Sequence, residues 1–164
     1  MEIATLRQAL ETSFQENRAL ISALSDADLA RRTPNPKWRV RQLAAHIAQD
    51  DGGTTYVGKL LARGKNAKAP DLLINLANWW GLRKYRKAHA ADLLPVMDQK
   101  HRDLLAWIET LTPEQLQRDG EISQLGRMTL GEFLDRNQQH SREHGNEIRA
   151  ALGQSRPARE RQAG

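Results

Sequence analysis

The sequence predicts an all-α protein, a four-helix bundle with short connecting helices, on three observations. Apolar residues recur at three- and four-residue steps through long stretches, as on one face of an α-helix. Strand-like alternation of apolar and polar residues is not visible. Ser/Thr-x-x-Glu/Gln/Asp signals, which cap helix starts, stand where one periodic stretch gives way to the next.

Taken in order, Ile3, Leu6, Leu10, Phe14, Asn17, Ile21 and Leu24 mark a first helix over about residues 2–24. Ser25-Asp26-Ala27-Asp28 then opens a short helical turn, and Thr33-Pro34-Asn35-Pro36 forces the chain to change direction. A second long helix starts near Trp38 and carries Val40, Leu43, Ala44, Ile47, Val57, Leu60 and Leu61. Gly52-Gly53 is a candidate kink or break within it, and Gly64 marks its end. Pro70 opens a third helical region containing Leu72, Leu73, Leu76, Trp79, Trp80, Leu82 and Tyr85. Asp92, with Pro95 in the first turn, starts a fourth helix through Met97, Leu104, Leu105 and Ile108 to about Leu111. Thr112-Pro113-Glu114-Gln115 and Thr129-Leu130-Gly131-Glu132 are further capping boxes, the second opening a last helix that ends at Gly153. A faint echo between residues 23–29 and 110–116 suggests two helical-hairpin halves, although capping boxes recur for local reasons alone.

Hydrophobic residues make up 39% and charged residues 27% of the 164, enough for one ordinary core without staples. The domain expected is residues 1–153, followed by a basic, disordered tail over 154–164. No cysteine is present, so thiol nucleophiles and Cys-held zinc are excluded and any metal must sit on His, Asp or Glu. No run approaches membrane-spanning length and no secretory leader pattern is seen, so the expectation is a cytoplasmic protein with no membrane partner. The net charge of +5 raises nucleic acid as a partner. The basic residues are scattered, and no helix-turn-helix, zinc-finger or aromatic-basic pattern accompanies them, so nucleic acid is not expected.

Of the five histidines, His140 and His144 are one helical turn apart, so both imidazoles leave the same face and stand close enough to share a metal ion. Two exposed polar residues at a chance spacing are the alternative. His46 lies among Leu43, Ala44, Ala45 and Ile47, at or near the apolar face of its helix. A buried imidazole needs a ligand or a hydrogen-bond partner, and a core histidine satisfied by a carbonyl or carboxylate meets that need equally well. His89 and His101 sit beside Lys and Arg, where cation binding is disfavoured, and are expected at the surface.

The segment from Trp38 to His46 on the second long helix, followed far downstream by His140 and His144 on the last, resembles the DinB/YfiT-like superfamily of metal-binding bundles. That group includes the N-terminal domain of mycothiol-dependent maleylpyruvate isomerases. The resemblance covers residues 3–152 and implies a four-helix bundle, often a homodimer, with a divalent metal held by His46, His140 and His144. Its metal varies: zinc is slightly favoured here, with nickel, iron or manganese also compatible with imidazole ligands. Some relatives use a low-molecular-weight thiol. His140-Ser141-Arg142-Glu143-His144 also matches the H-x-x-E-H arrangement of inverted zinc proteases, but those are far larger, and the match is expected to be formal.

Three imidazoles leave at least one coordination position for water or substrate, the mark of a catalytic site. Asp50, one turn after His46, is a candidate fourth ligand, a partner for an imidazole N–H, or a general base; an exposed acid beside Asp51 is the plain alternative. Glu143 and Glu147 follow His140 and His144 by three residues each and could orient those rings, though solvated surface suits at least one of them. Trp79, Trp80 and Tyr85 could line a pocket beside the metal or belong to core or dimer interface. The function expected is a metal-dependent enzyme acting on a small molecule, of thiol-dependent transferase or isomerase type or a hydrolase. The competing expectations are a non-catalytic metal-binding or interaction protein and, on charge alone, a DNA-associated stress protein.

Overall fold

Helix periodicity and capping chemistry together place most of the backbone. The structure, a computed structural model, describes residues 2–36, 38–70, 72 and 81–154. Its elements are α1 (Ile3–Ser22), α2 (Asp26–Ala30), α3 (Val40–Leu61), α4 (Ala90–Ile108), α5 (Pro113–Leu116), β1 (Asp119–Ile122), β2 (Gly126–Thr129) and α6 (Leu130–Ala151). The protein is an all-α four-helix bundle of α1, α3, α4 and α6 with short connecting elements.

The capping boxes form as their residue types require. Ser25 accepts from the Asp28 amide, Thr112 from that of Gln115 and Thr129 from that of Glu132, and each third residue reaches back to the cap. In α4 the cap is His89, whose amide donates to Asp92 at 2.8 Å. The helix therefore starts before Asp92, and Pro95 lies inside it, beyond the first turn. Gly52-Gly53 breaks nothing: α3 runs continuously from Val40 to Leu61, because a glycine costs about 1 kcal/mol in a helix and flanking buried residues on both sides outweigh it. Within the third helical region, Leu72 and residues 81–83 are helical, and the stretch between them lies outside the described residues.

One element contradicts the all-helical reading of the connections. Asp119–Ile122 pairs antiparallel with Gly126–Thr129, and the turn uses Gln124 at φ 67° and Gly126 at φ 82°. Four-residue strands are too short to show an alternation, so the periodicity missed them. Ala67 extends this hairpin, donating to the Glu121 carbonyl at 2.8 Å and accepting from the Ser123 amide at 3.2 Å.

In the bundle α3 packs on α4 and α6, and α1 packs on the same two, so α1 and α3 stand diagonally. The two consecutive long helices are thus no hairpin; α2 and the Pro-broken stretch carry the chain across the end of the bundle. The core divides into two apolar clusters. One gathers Ile21, Val40, Leu43, Ile47, Leu93, Met97 and Ile148, the other Leu6, Leu10, Leu61, Leu104, Ile108, Leu130 and Leu134. Each fully buried leucine contributes about 1.5–3 kcal/mol by leaving water. Buried polar residues from all four long helices are Ser13 and Asn17, Thr54, His101, and Asn137 with Gln138. They occupy the middle of the helices, between the two clusters. No helix among the described residues is long and apolar enough to cross a membrane.

Candidate metal centre

His46 flanks the buried stripe of α3, whose Leu43, Ala44, Ala45 and Ile47 face the core. On α6, His140 and His144 flank the buried positions Asn137, Gln138, Gly145 and Ile148. Because α3 and α6 pack together, these flanks meet. His140 Nε2 lies 3.1 Å from His144 Nε2 and 3.5 Å from His46 Nε2. Ligand atoms of all three lie within 4.8 Å of one another, and this is the one such group among the described residues.

The separations suit a shared ion. With metal–nitrogen bonds of about 2.0–2.1 Å, two imidazole nitrogens on one ion stand roughly 3–3.4 Å apart. Trp38 closes one side, edge-on to His46 at 5.1 Å between centroids and stacked on His144 at 5.9 Å. Protonation would oppose metal binding, and burial opposes protonation. Burial first, then the neighbouring His144 and His140, hold His46 down at about 3. Burial and His144 likewise lower His140, against a smaller opposing pull from Glu143. Both rings are therefore neutral near pH 7, with lone pairs free to bind a cation.

The surrounding residues divide sharply. Glu147 Oε1 stands 3.2 Å from His144 Nδ1, where it accepts that N–H and leaves Nε2 facing the other two rings. Glu143 is exposed and makes no hydrogen bond to either histidine, so the H-x-x-E-H resemblance to proteases is formal. Asp50 is not part of the ligand group. It is no exposed acid either: its Oδ2 is sealed from solvent without a partner, and burial, reinforced by Asp51, raises its carboxyl to about 8. One turn from the histidine layer, Asp50 and Asn137 line a cavity of about 370 Å³ with Thr54, Tyr56, Val57 and Phe133. The Asn137 Nδ2 is also sealed and unpartnered. Tyr85 packs half-buried against the first apolar cluster, with Lys84 Nζ 5.3 Å from its ring centroid. Trp79 and Trp80 lie outside the described residues.

His89 is exposed as expected, paired with Asp26 at 2.5 Å. His101 overturns its expectation: it is 4% exposed, with Nδ1 2.7 Å from Asp51 and Nε2 3.2 Å from Glu11. Its flanking Lys100 and Arg102 point elsewhere, since neighbours in a helix are turned about 100° apart. The signal was present in the helical spacing of Leu93, Met97, His101, Leu104 and Ile108, which puts His101 in the buried stripe.

Three comparisons bear on this arrangement. The structure superposes on YfiT from Bacillus subtilis, a probable metal-dependent hydrolase of unusual four-helix bundle topology, with a TM-score of 0.76 and 22% identity, over 94% of this chain and 89% of that one. It superposes on the mycothiol-dependent maleylpyruvate isomerase with a TM-score of 0.74 and 10% identity, over 90% of this chain but 61% of that one. An uncharacterized protein from Clostridium difficile 630 aligns with a TM-score of 0.68 and 14% identity, over 92% and 95% of the two chains. At these identities the likeness is one of fold. No curated protein matches the chain significantly by sequence. Residues 2–148 match the sequence profile of the DinB superfamily, and the chain belongs to that superfamily.

Proposed function

We propose that this chain is a metal-dependent enzyme acting on a small molecule, with a divalent ion, zinc before nickel, iron or manganese, held by His46, His140 and His144. The convergence of three half-buried imidazoles, with His46 and His140 held neutral near pH 7 by burial, carries the reading. A purely structural ion is usually enclosed by four protein ligands, whereas this group offers three. Bound there, the ion would supply Lewis acidity toward a water or a low-molecular-weight thiol, the nucleophile in hydrolysis or in S-transfer and isomerisation respectively.

The residues around the centre have separable tasks. Glu147 fixes the tautomer and direction of His144, and Trp38 keeps the rings from turning out to solvent. Asp50, protonated near neutral pH and placed beside the cavity, serves as a general acid that gives its proton to the leaving group. The cavity of Asp50 and Asn137, mostly apolar with a few polar groups, suits a small molecule. The relation to a probable metal-dependent hydrolase and to a thiol-dependent isomerase supports both versions of the chemistry.

Elemental analysis of the protein purified without added metal, followed by titration of the stripped protein with zinc, nickel and manganese, tests this reading. One ion per chain is expected, lost in His140→Ala. A protein that binds none of the three, or a His140→Ala variant that binds as well as wild type, ends it. Screening the loaded protein for ester or amide hydrolysis, and for thiol transfer with and without an added thiol, then separates the two versions.

A further inference from the structure

A second cavity, of about 490 Å³, lies at the start of α3. Among the described residues its lining is Arg39, Arg41, Gln42, Leu82, Arg83 and Arg86: four guanidiniums and no carboxylate. None of the ion pairs among the described residues engages Arg39, Arg41 or Arg86. Arg39 spends one nitrogen on the Ala30 carbonyl at 2.7 Å. The Arg41 Nε is sealed from solvent with no hydrogen-bond partner. The like charges of Arg39, Arg41 and Arg86 around one concavity repel each other, and a sealed guanidinium donor without an acceptor costs free energy. An anion in the space relieves that repulsion.

Arginine also decides the kind of anion. Its planar fork donates two parallel hydrogen bonds to carboxylate or phosphate oxygens. The volume is that of a small-molecule site, and the concave form suits a compact ligand better than a duplex or a lipid surface. Its place matters as well. Gln42 is one turn before His46 on α3, about 6 Å along the axis, and Trp38, next to Arg39, packs on His46 and His144.

We propose that the arginine-lined cavity at the start of α3 binds the carboxylate or phosphate group of a small molecule, and that this molecule is the one on which the three-histidine centre acts. The second half rests on the reading of those histidines as a metal centre; the first half does not.

The experiment uses the full chain and two probes, inorganic phosphate and malonate, titrated calorimetrically at low salt after metal has been stripped with chelator. Saturable binding of at least one is expected, and their ratio tells a phosphate site from a carboxylate site. Arg41→Gln and Arg86→Gln are expected to weaken it at least tenfold, and Arg63→Gln, at an exposed position beyond the other end of α3, to leave it unchanged. Arg86 is exposed, so its substitution leaves the fold intact should Arg41→Gln disturb it. No saturable binding of either probe up to about 10 mM, or equal binding by both cavity variants, overturns the anion site. Binding of DNA or heparin with the same arginine dependence, but of neither small probe, overturns it in favour of a polyanion face.

The link to the metal is read separately, from the phosphorus-31 line width of phosphate bound to manganese-loaded protein. Broadening that disappears in Arg41→Gln is expected. Bound phosphate that stays sharp breaks the link while leaving the anion site standing. A protein that takes up no manganese, nickel or zinc instead marks the failure of the metal reading.

Discussion

His101 is held between two carboxylates, with Asp51 Oδ2 2.7 Å from its Nδ1 and Glu11 Oε2 3.2 Å from its Nε2, and its ring lies flat on Phe14 at 3.8 Å between centroids. A neutral imidazole can donate from one nitrogen only, so this geometry calls for the imidazolium. Burial pulls the ring's pKa down, but the hydrogen bonds and charges of Asp51 and Glu11 outweigh it and the net direction is up. The cluster ties α1, α3 and α4 together at the level of the polar belt.

A stability effect with a definite sign in pH follows. A histidine raised in the folded state stabilises fully below its unfolded value of about 6.5, and that contribution is lost as pH rises through the folded pKa. His101→Ala is therefore expected to cost about 2–4 kcal/mol at pH 6, toward the low end for a buried pair because Glu11 is partly exposed. The gap from wild type should narrow by pH 9. Urea unfolding of both proteins at the two pH values measures it; equal gaps would mean that the ring is neutral throughout and acts by packing alone.

Glu143 and Glu147 are equivalent in sequence, each three residues after a histidine, and unlike in space. Only Glu147 reaches an imidazole nitrogen. Glu147→Gln is expected to weaken metal binding by about 10–100-fold, the usual effect of removing a partner that orients a ligand, whereas Glu143→Gln should change it little. Competition against a chromogenic chelator reads both. Equal losses would show charge near the site to be the cause, not orientation.

Asp50 gives the opposite pH signature to a paired carboxylate. Its folded pKa is raised from 3.8 to about 8, so the folded state must hold a proton that the unfolded chain releases. The resulting cost grows as pH climbs above about 4 and levels off above the folded value. Asp50→Asn should therefore stabilise the metal-free protein at pH 8, by on the order of a few kcal/mol at most, and give no gain at pH 4. Thermal unfolding at the two pH values decides it. A variant destabilised at both would show that Asp50 has an acceptor role that an amide cannot fill.

Much of this was legible in the sequence because it depends on period and chemistry within one or two turns. The long helices follow from apolar spacing, their starts from Ser25, Thr112 and Thr129, and the facing of His140 with His144 from a four-residue step. The meeting of His46 with that pair depends on α3 packing against α6, which no local pattern encodes, and the family resemblance supplied it. His101 escapes a local reading because its charged neighbours in sequence mask its place in the Leu93–Ile108 stripe. The hairpin was missed because four residues carry too little alternation, and the arginine cavity because its walls come from residues 39–42 and 82–86, brought together only by the fold.

Two glycines test how closely the helix carrying His140 and His144 must approach its neighbour. Gly145 follows His144 on α6, and a Cβ built there collides with Asn17 Oδ1 on α1. Asn17 cannot easily yield, because its Nδ2 donates to both the carbonyl and the hydroxyl of Ser141 at 2.9 Å and it is 1% exposed. Gly145→Ala must therefore push α6 off α1 or break those bonds, at a cost of about 1–3 kcal/mol, and displace the adjoining His144. Gly53, within α3, has nothing within 4 Å of its would-be Cβ, so Gly53→Ala should gain up to about 1 kcal/mol from helix propensity alone. Denaturant unfolding gives the two signs. Metal titration adds what a generic loss of stability would not produce: weaker binding in Gly145→Ala under conditions where the variant is fully folded. Affinity equal to wild type in the folded variant would show that the α1–α6 contact sets stability without setting the position of the ligands.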